Sequence, residues 1–82
     1  MRRARTADGI HALIKPDELA LWAGVRATGD TPRIVEERLG LHRKRVVVLC
    51  NKWFDRHLYS CGVASDLGWI TERGEKEGLP PF

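Results

Sequence analysis

Between His42 and Arg56 the chain has neither proline nor glycine, and Val46, Leu49, Cys50 and Trp53 recur at i, i+3, i+4 and i+7. That spacing is one buried stripe of an α-helix. At 100° per residue the opposite face centres on Lys44, Val48, Asn51 and Asp55, with Arg45 and Lys52 on one flank and Arg43 and Val47 on the other. Whatever fold the chain adopts must bury the stripe and leave cations and an amide outside.

The segments before this helix carry their own punctuation. Pro16 suits a first helical position, and Asp17 and Glu18 favour the positive end of a helix dipole, so a helix is predicted from residue 16 to about 27. Leu19, Trp22 and Ala23 are taken as its inner face. After the turn cluster Thr28-Gly29-Asp30, Thr31 can cap and Pro32 can open a second helix that ends near Leu39, with Gly40 as a left-handed stop. Ile34, Val35 and Leu39 supply its apolar side, and Leu41 is placed to plug the space before the third helix.

Beyond Arg56, residues 58–61 and 68–71 are short runs with β-formers (Tyr59, Trp69, Ile70, Thr71) on either side of a longish loop, and they read as a hairpin. Glu75 to Gly78 lead into Pro80-Pro81, which stops regular structure. Residues 10–14 fit a strand or an early helical turn equally well. The fold class expected is mainly α with a small β-hairpin (α+β), in a domain over residues 9–74. An Arg-rich tail at 1–8 and a C-terminal tail at 75–82 flank it.

Composition narrows the functional classes. Eighty-two residues leave room for one core, and 43% hydrophobic with 30% charged residues is a globular balance, which argues against disorder. No stretch approaches the roughly 18 apolar residues of a membrane span, and no secretory apolar region follows Arg2, Arg3 and Arg5, so a cytoplasmic protein without membrane contact is expected. Cys50 and Cys61 are too few for a disulfide framework and are read as reduced thiols.

Charge is concentrated where the third helix lies. Residues 41–62 hold Arg43, Lys44, Arg45, Lys52 and Arg56 against a single Asp55, while the segments on either side are net acidic. A basic block inside an ordered segment is the electrostatic footprint of nucleic-acid binding; its bland counterpart is a solvated helix face. Arginine can donate a bidentate pair to guanine, Asn51 could do the same to adenine, and Val48 could touch a thymine methyl. Arg45 and Lys52, on the flank, suit phosphates.

Other chemistries fare worse. Cys50, His57 and Cys61, with His42, contain the right atoms for zinc, but the C-x6-H-x3-C spacing matches no common structural site and Cys50 belongs to the core stripe. Neither a metal nor a cofactor is expected. A Cys-His pair lacks an orienting third group, and so short a chain has little space for a substrate cleft, so neither enzyme activity nor a small-molecule substrate is expected. Trp22, Trp53 and Trp69 are read as core, not as stacking platforms.

The order helix, helix, short turn, basic helix, hairpin resembles the winged helix-turn-helix family of prokaryotic and phage transcription regulators. The resemblance covers residues 18–74. It is carried by Ile34-Val35-Glu36-Glu37-Arg38-Leu39-Gly40-Leu41, similar to the family's second helix and turn, and by Gly68-Trp69-Ile70-Thr71-Glu72-Arg73-Gly74, similar to the strand closing its wing. It implies three helices plus a C-terminal wing, with His42 as the recognition-helix cap and Arg43, Lys44 and Arg45 as the turn entering the major groove. The implied function is sequence-specific binding of double-stranded DNA by a transcription regulator, with repression the expected sense.

Two departures stand beside the resemblance. His57 occupies the place where such proteins usually have a glycine ending the third helix. The expected wing tip holds Asp66 and no cation, so Arg56 and His57 at the base of the hairpin are the better phosphate contacts. Arg2, Arg3 and Arg5 fit a minor-groove arm or a solubilising tail equally. A homodimer would suit a pseudo-palindromic site, although no dedicated dimer helix is visible. The rival readings are a winged-helix protein-interaction module, with Val47, Val48 and Phe54 as a sticky patch, and an RNA binder.

Overall fold

The computed structural model describes residues 14–79. The tail arginines Arg2, Arg3 and Arg5, most of the 10–14 run, and Phe82 lie outside the described residues. Over these residues the chain is mainly helical with a small antiparallel sheet: α1 (Pro16–Thr28), α2 (Pro32–Leu39), α3 (Arg43–Asp55), β1 (Tyr59–Cys61), β2 (Gly68–Ile70) and α4 (Glu72–Glu77). Tyr59 pairs with Ile70, Ser60 with Trp69 and Cys61 with Gly68. Among the described residues no helix is long and apolar enough to cross a membrane.

The helix ends follow their local signals. Prolines open α1 and α2, where the missing N–H would have had no intrahelical partner. Gly29 and Gly40 end them in the left-handed region, at φ 75° and 70°. The chain leaves α3 through His57 at φ 64°, the conformation a glycine usually supplies. Holding it there are the His57 N–H donated to the Phe54 carbonyl at 3.0 Å and the His57 carbonyl, which accepts from Thr71 Oγ1 at 2.8 Å.

The core sits where α1, α2, α3 and the hairpin converge. Val46, Leu49, Cys50 and Trp53 are all buried, as their spacing predicts, and they meet Leu21, Trp22, Val25, Val35, Leu58 and Tyr59. Trp53 packs edge-on against Trp22 (centroids 5.0 Å apart) and Tyr59 (5.9 Å). Each such aromatic pair is worth about 0.5–1.5 kcal/mol beyond its buried area. Leu41 and Leu79 are half-buried against this cluster, so Leu79 docks on its own domain.

Four expectations are corrected. The inner face of α1 is Glu18, Leu21, Trp22 and Val25, while Leu19 and Ala23 face outward. Apolar residues lie all round this helix, so periodicity alone does not choose its face; the partners of Glu18 on α3 do. On α2, Val35 is buried but Ile34 and Leu39 are each more than two-fifths exposed, because an eight-residue helix has room for one inward turn. Trp69 is 56% exposed. Its neighbours Gly68 and Ile70 face the core side, and strand alternation then puts the indole outside.

The fourth correction concerns the C-terminal segment. Strand β2 stops at Ile70, and Thr71 caps α4 through its hydroxyl, which accepts from the Gly74 N–H at 3.1 Å. The boundary expected at residue 74 therefore falls inside a helix. Gly74 is buried, and a Cβ there would meet the Leu58 carbonyl oxygen and approach Trp22.

Candidate functional site

Helix α3 leans on α1 on one flank and on α2 on the other, and its third side faces outward. His42 is the N-cap, its Nδ1 accepting from the Lys44 N–H at 3.2 Å. Along the helix, Lys44, Val48, Asn51 and Asp55 are exposed, as the 100° projection predicts. Arg56 and His57, beyond the helix end, are exposed as well.

The cations on the flanks are engaged by carboxylates. Arg45 donates through Nε and Nη2 to Asp17 of α1, at 2.7 and 3.2 Å. These bonds hold the Asp17 carboxyl below its ordinary range. Lys52 donates to Glu18 Oε1 at 3.0 Å, and Trp53 Nε1 donates to Glu18 Oε2 at 2.9 Å. A carboxylate thus sits in the core, only 1% exposed, satisfied by one cation and one indole. Arg43, on the other flank, donates through Nε to Glu36 Oε2 of α2 at 3.0 Å.

The loop between the strands folds back over α2 and α3. Asp66 is 2% exposed and is no cationless tip: its carboxylate accepts both Nε and Nη2 of Arg33, at 3.0 and 2.9 Å, and its backbone carbonyl accepts the Arg33 N–H. The Arg33 hydrogen bonds hold the Asp66 carboxyl below its ordinary range. Ser65 of this loop also touches both α3 and β1. Ser65 donates its hydroxyl to Asn51 Oδ1 at 2.8 Å, and its carbonyl accepts from Tyr59 Oη at 2.6 Å. An adenine contact by Asn51 would share Oδ1 with Ser65.

Sequence reasoning placed the outward residues of α3 but missed the carboxylates that hold its arginines. Glu36 lies seven residues before Arg43, across the turn, and Asp17 lies 28 residues before Arg45. The proline-opened helices already implied that Asp17 stands in a first turn, yet nothing in the sequence says which cation it meets.

Apolar groups are exposed too. Val48 (57%) and Phe54 (47%) lie on α3, where Val47 is half-buried, and Val63 marks the loop tip. Cys50 is buried, and burial pushes its thiol up to about 12, so it is uncharged at neutral pH and a poor nucleophile. Among the described residues no group of three His, Cys, Asp or Glu side chains could hold a metal ion. Comparison with protein-family models, with curated proteins and with solved structures finds no match to this chain.

Proposed function

We propose that the chain is a winged helix-turn-helix protein that binds duplex DNA and regulates transcription, with α3 as the helix that enters the major groove. One observation carries the reading: the N-terminal half of α3 presents His42, Arg43, Lys44 and Val48 outward, on a helix whose opposite stripe is anchored in the core. A rigid helix with donors on its first turns is what reading of base edges requires. Asn51, Arg56 and His57 extend the same surface.

The test is the salt dependence of binding to a random-sequence duplex, followed by fluorescence anisotropy between about 50 and 200 mM salt. Five phosphate contacts would give a slope of log affinity on log salt of roughly −4 to −5. With Arg45 and Lys52 turned toward carboxylates, the slope should be shallower than that. No measurable duplex binding at the low-salt end would defeat the reading.

A second reading has its own support. Because Arg43, Arg45 and Lys52 are paired within the domain and Val48 and Phe54 are half exposed, the same face suits an apolar, weakly acidic protein surface. Binding that ignores duplex DNA and hardly responds to salt would favour it. Hairpin and single-stranded RNA in the same assay would separate an RNA binder from both.

A further inference from the structure

We infer that Arg43, and not Arg45, is the arginine that reads a base, and that the base is guanine; the inference rests on the reading of α3 as a major-groove helix. The two arginines differ in which nitrogens remain available. Arg45 commits Nε and Nη2 to Asp17, which uses one whole edge of its guanidinium. Arg43 is tied through Nε alone, 3.0 Å from Glu36 Oε2 and 3.5 Å from Asp66 Oδ2. Its two terminal nitrogens have no hydrogen-bond partner among the described residues, and its side chain is 53% exposed. A plane fixed at Nε with its far fork open is prepared for two further acceptors.

Glu36 is the residue that orients this fork. Its side chain is 7% exposed, and among the described residues its one hydrogen bond goes to Arg43. The other oxygen, Oε1, is buried with no hydrogen-bond partner among the described residues. Burying a carboxylate is costly unless it is well paired, so a carboxylate so poorly satisfied is explained by what it does to Arg43 more than by stability.

Charge separates the two double acceptors that Arg43 could meet. Arg33 and Arg43 face Glu36 and Asp66, two cations against two buried carboxylates, so the cluster carries no net charge. A phosphate, being an anion, gains little from a neutral cluster. The O6 and N7 atoms of guanine are uncharged acceptors on one base edge, spaced for an arginine fork. Lys44, exposed beside it, is the phosphate-binding cation of this turn.

The experiment is selection of bound duplexes from a random pool by the wild-type chain and by Arg43→Lys, Glu36→Gln and Arg45→Lys. Circular dichroism and a urea melt verify each fold. The wild type should recover sites with an invariant guanine, and placing 7-deazaguanine there should weaken binding about ten-fold or more. Arg43→Lys keeps the charge and loses the fork, so it should lose that guanine while holding random duplex within about two-fold and with an unchanged salt slope. Glu36→Gln should blur the guanine preference without weakening random-duplex binding; a purely structural role would weaken both alike. Arg45→Lys should keep the preference.

Retention of the guanine by Arg43→Lys overturns the inference, as does a uniform loss of affinity over all duplexes, which would make Arg43 a phosphate contact. Both results leave DNA binding itself standing. A wild-type chain that binds no duplex overturns the functional reading and this inference with it.

Discussion

The indole of Trp53 donates its N–H to Glu18 Oε2 at 2.9 Å in the middle of the core, and Lys52 holds the other oxygen of that carboxylate at 3.0 Å. One acidic residue from the first turn of α1 thereby fixes both the rotation of its own helix and the flank of α3. It explains why the stripe on α1 begins with a charge and why Leu19 is left outside.

Glu18→Ala should cost about 2–4 kcal/mol, because it strands a buried indole N–H and takes a buried carboxylate away from Lys52. Glu18→Gln keeps an acceptor for Trp53 and should cost about half as much. Urea denaturation followed by tryptophan fluorescence measures both. A loss under about 0.5 kcal/mol in the alanine variant would mean the core tolerates the gap and that the pairing is incidental.

Gly74→Ala should destabilise by about 1–3 kcal/mol, since the new Cβ meets the Leu58 backbone carbonyl and lies 2.7 Å from Ile70 Cγ2, and backbone cannot swing aside as a flexible side chain can. Helix propensity alone would favour alanine at a helical glycine by up to about 1 kcal/mol. A stabilised variant would therefore show α4 to be loosely docked.

Stability should fall at both ends of the pH range. Arg45 holds Asp17, and Arg33 holds Asp66, below the ordinary carboxyl value of 3.8. Depressed carboxyls contribute stability above their unfolded value, and that contribution is lost as pH drops through the lower folded value. The urea midpoint should therefore decline below about pH 4, and less steeply in Asp66→Asn. At the alkaline end, burial raises the Cys50 thiol from 9.0 to about 12 and raises the Tyr59 phenol as well. A raised acid contributes fully below its unfolded value, so stability should be lost as pH climbs from 9.0 toward 12, with Cys50→Ala reducing the slope. An alkaline limb identical in wild type and Cys50→Ala would contradict this assignment.

Lys44→Ala and Arg45→Ala should separate binding from folding. The first should shift stability by under about 0.5 kcal/mol and reduce the duplex salt slope by about one unit. The second breaks a partly exposed ion pair, costing about 0.5–1 kcal/mol, and should leave the slope nearly unchanged. If Arg45→Ala lowers the slope instead, Arg45 leaves Asp17 for a phosphate on binding. Neutralising Arg43, Lys44 and Arg45 together should carry a stability cost, because Asp17 and Glu36 both lose their arginine.

The limits of α1, α2 and α3 were legible because their determinants are local: a proline at an N-terminus, a glycine that must turn left, an unbroken 3.6-residue period. The α4 helix was hidden because its six residues include Gly74, a poor helix former, and its stability comes from docking against Leu58, Ile70 and Trp22. For Trp69 residue type points inward and strand alternation points outward, and with Gly68 and Ile70 on the core side alternation prevails.

By itself the sequence determined which face of α3 is apolar and which carries Lys44, Val48 and Asn51, since a helix of known period distributes its residues without reference to anything else. Tertiary structure decided which cations on that helix remain available. Arg45 is claimed by an aspartate 28 positions away, Arg43 is held by one nitrogen, and the Asp66 expected at a loop tip is drawn under Arg33. Ion pairing depends on separation in space, and chain distance is a poor guide to it until α1, α2 and the loop have closed around the third helix.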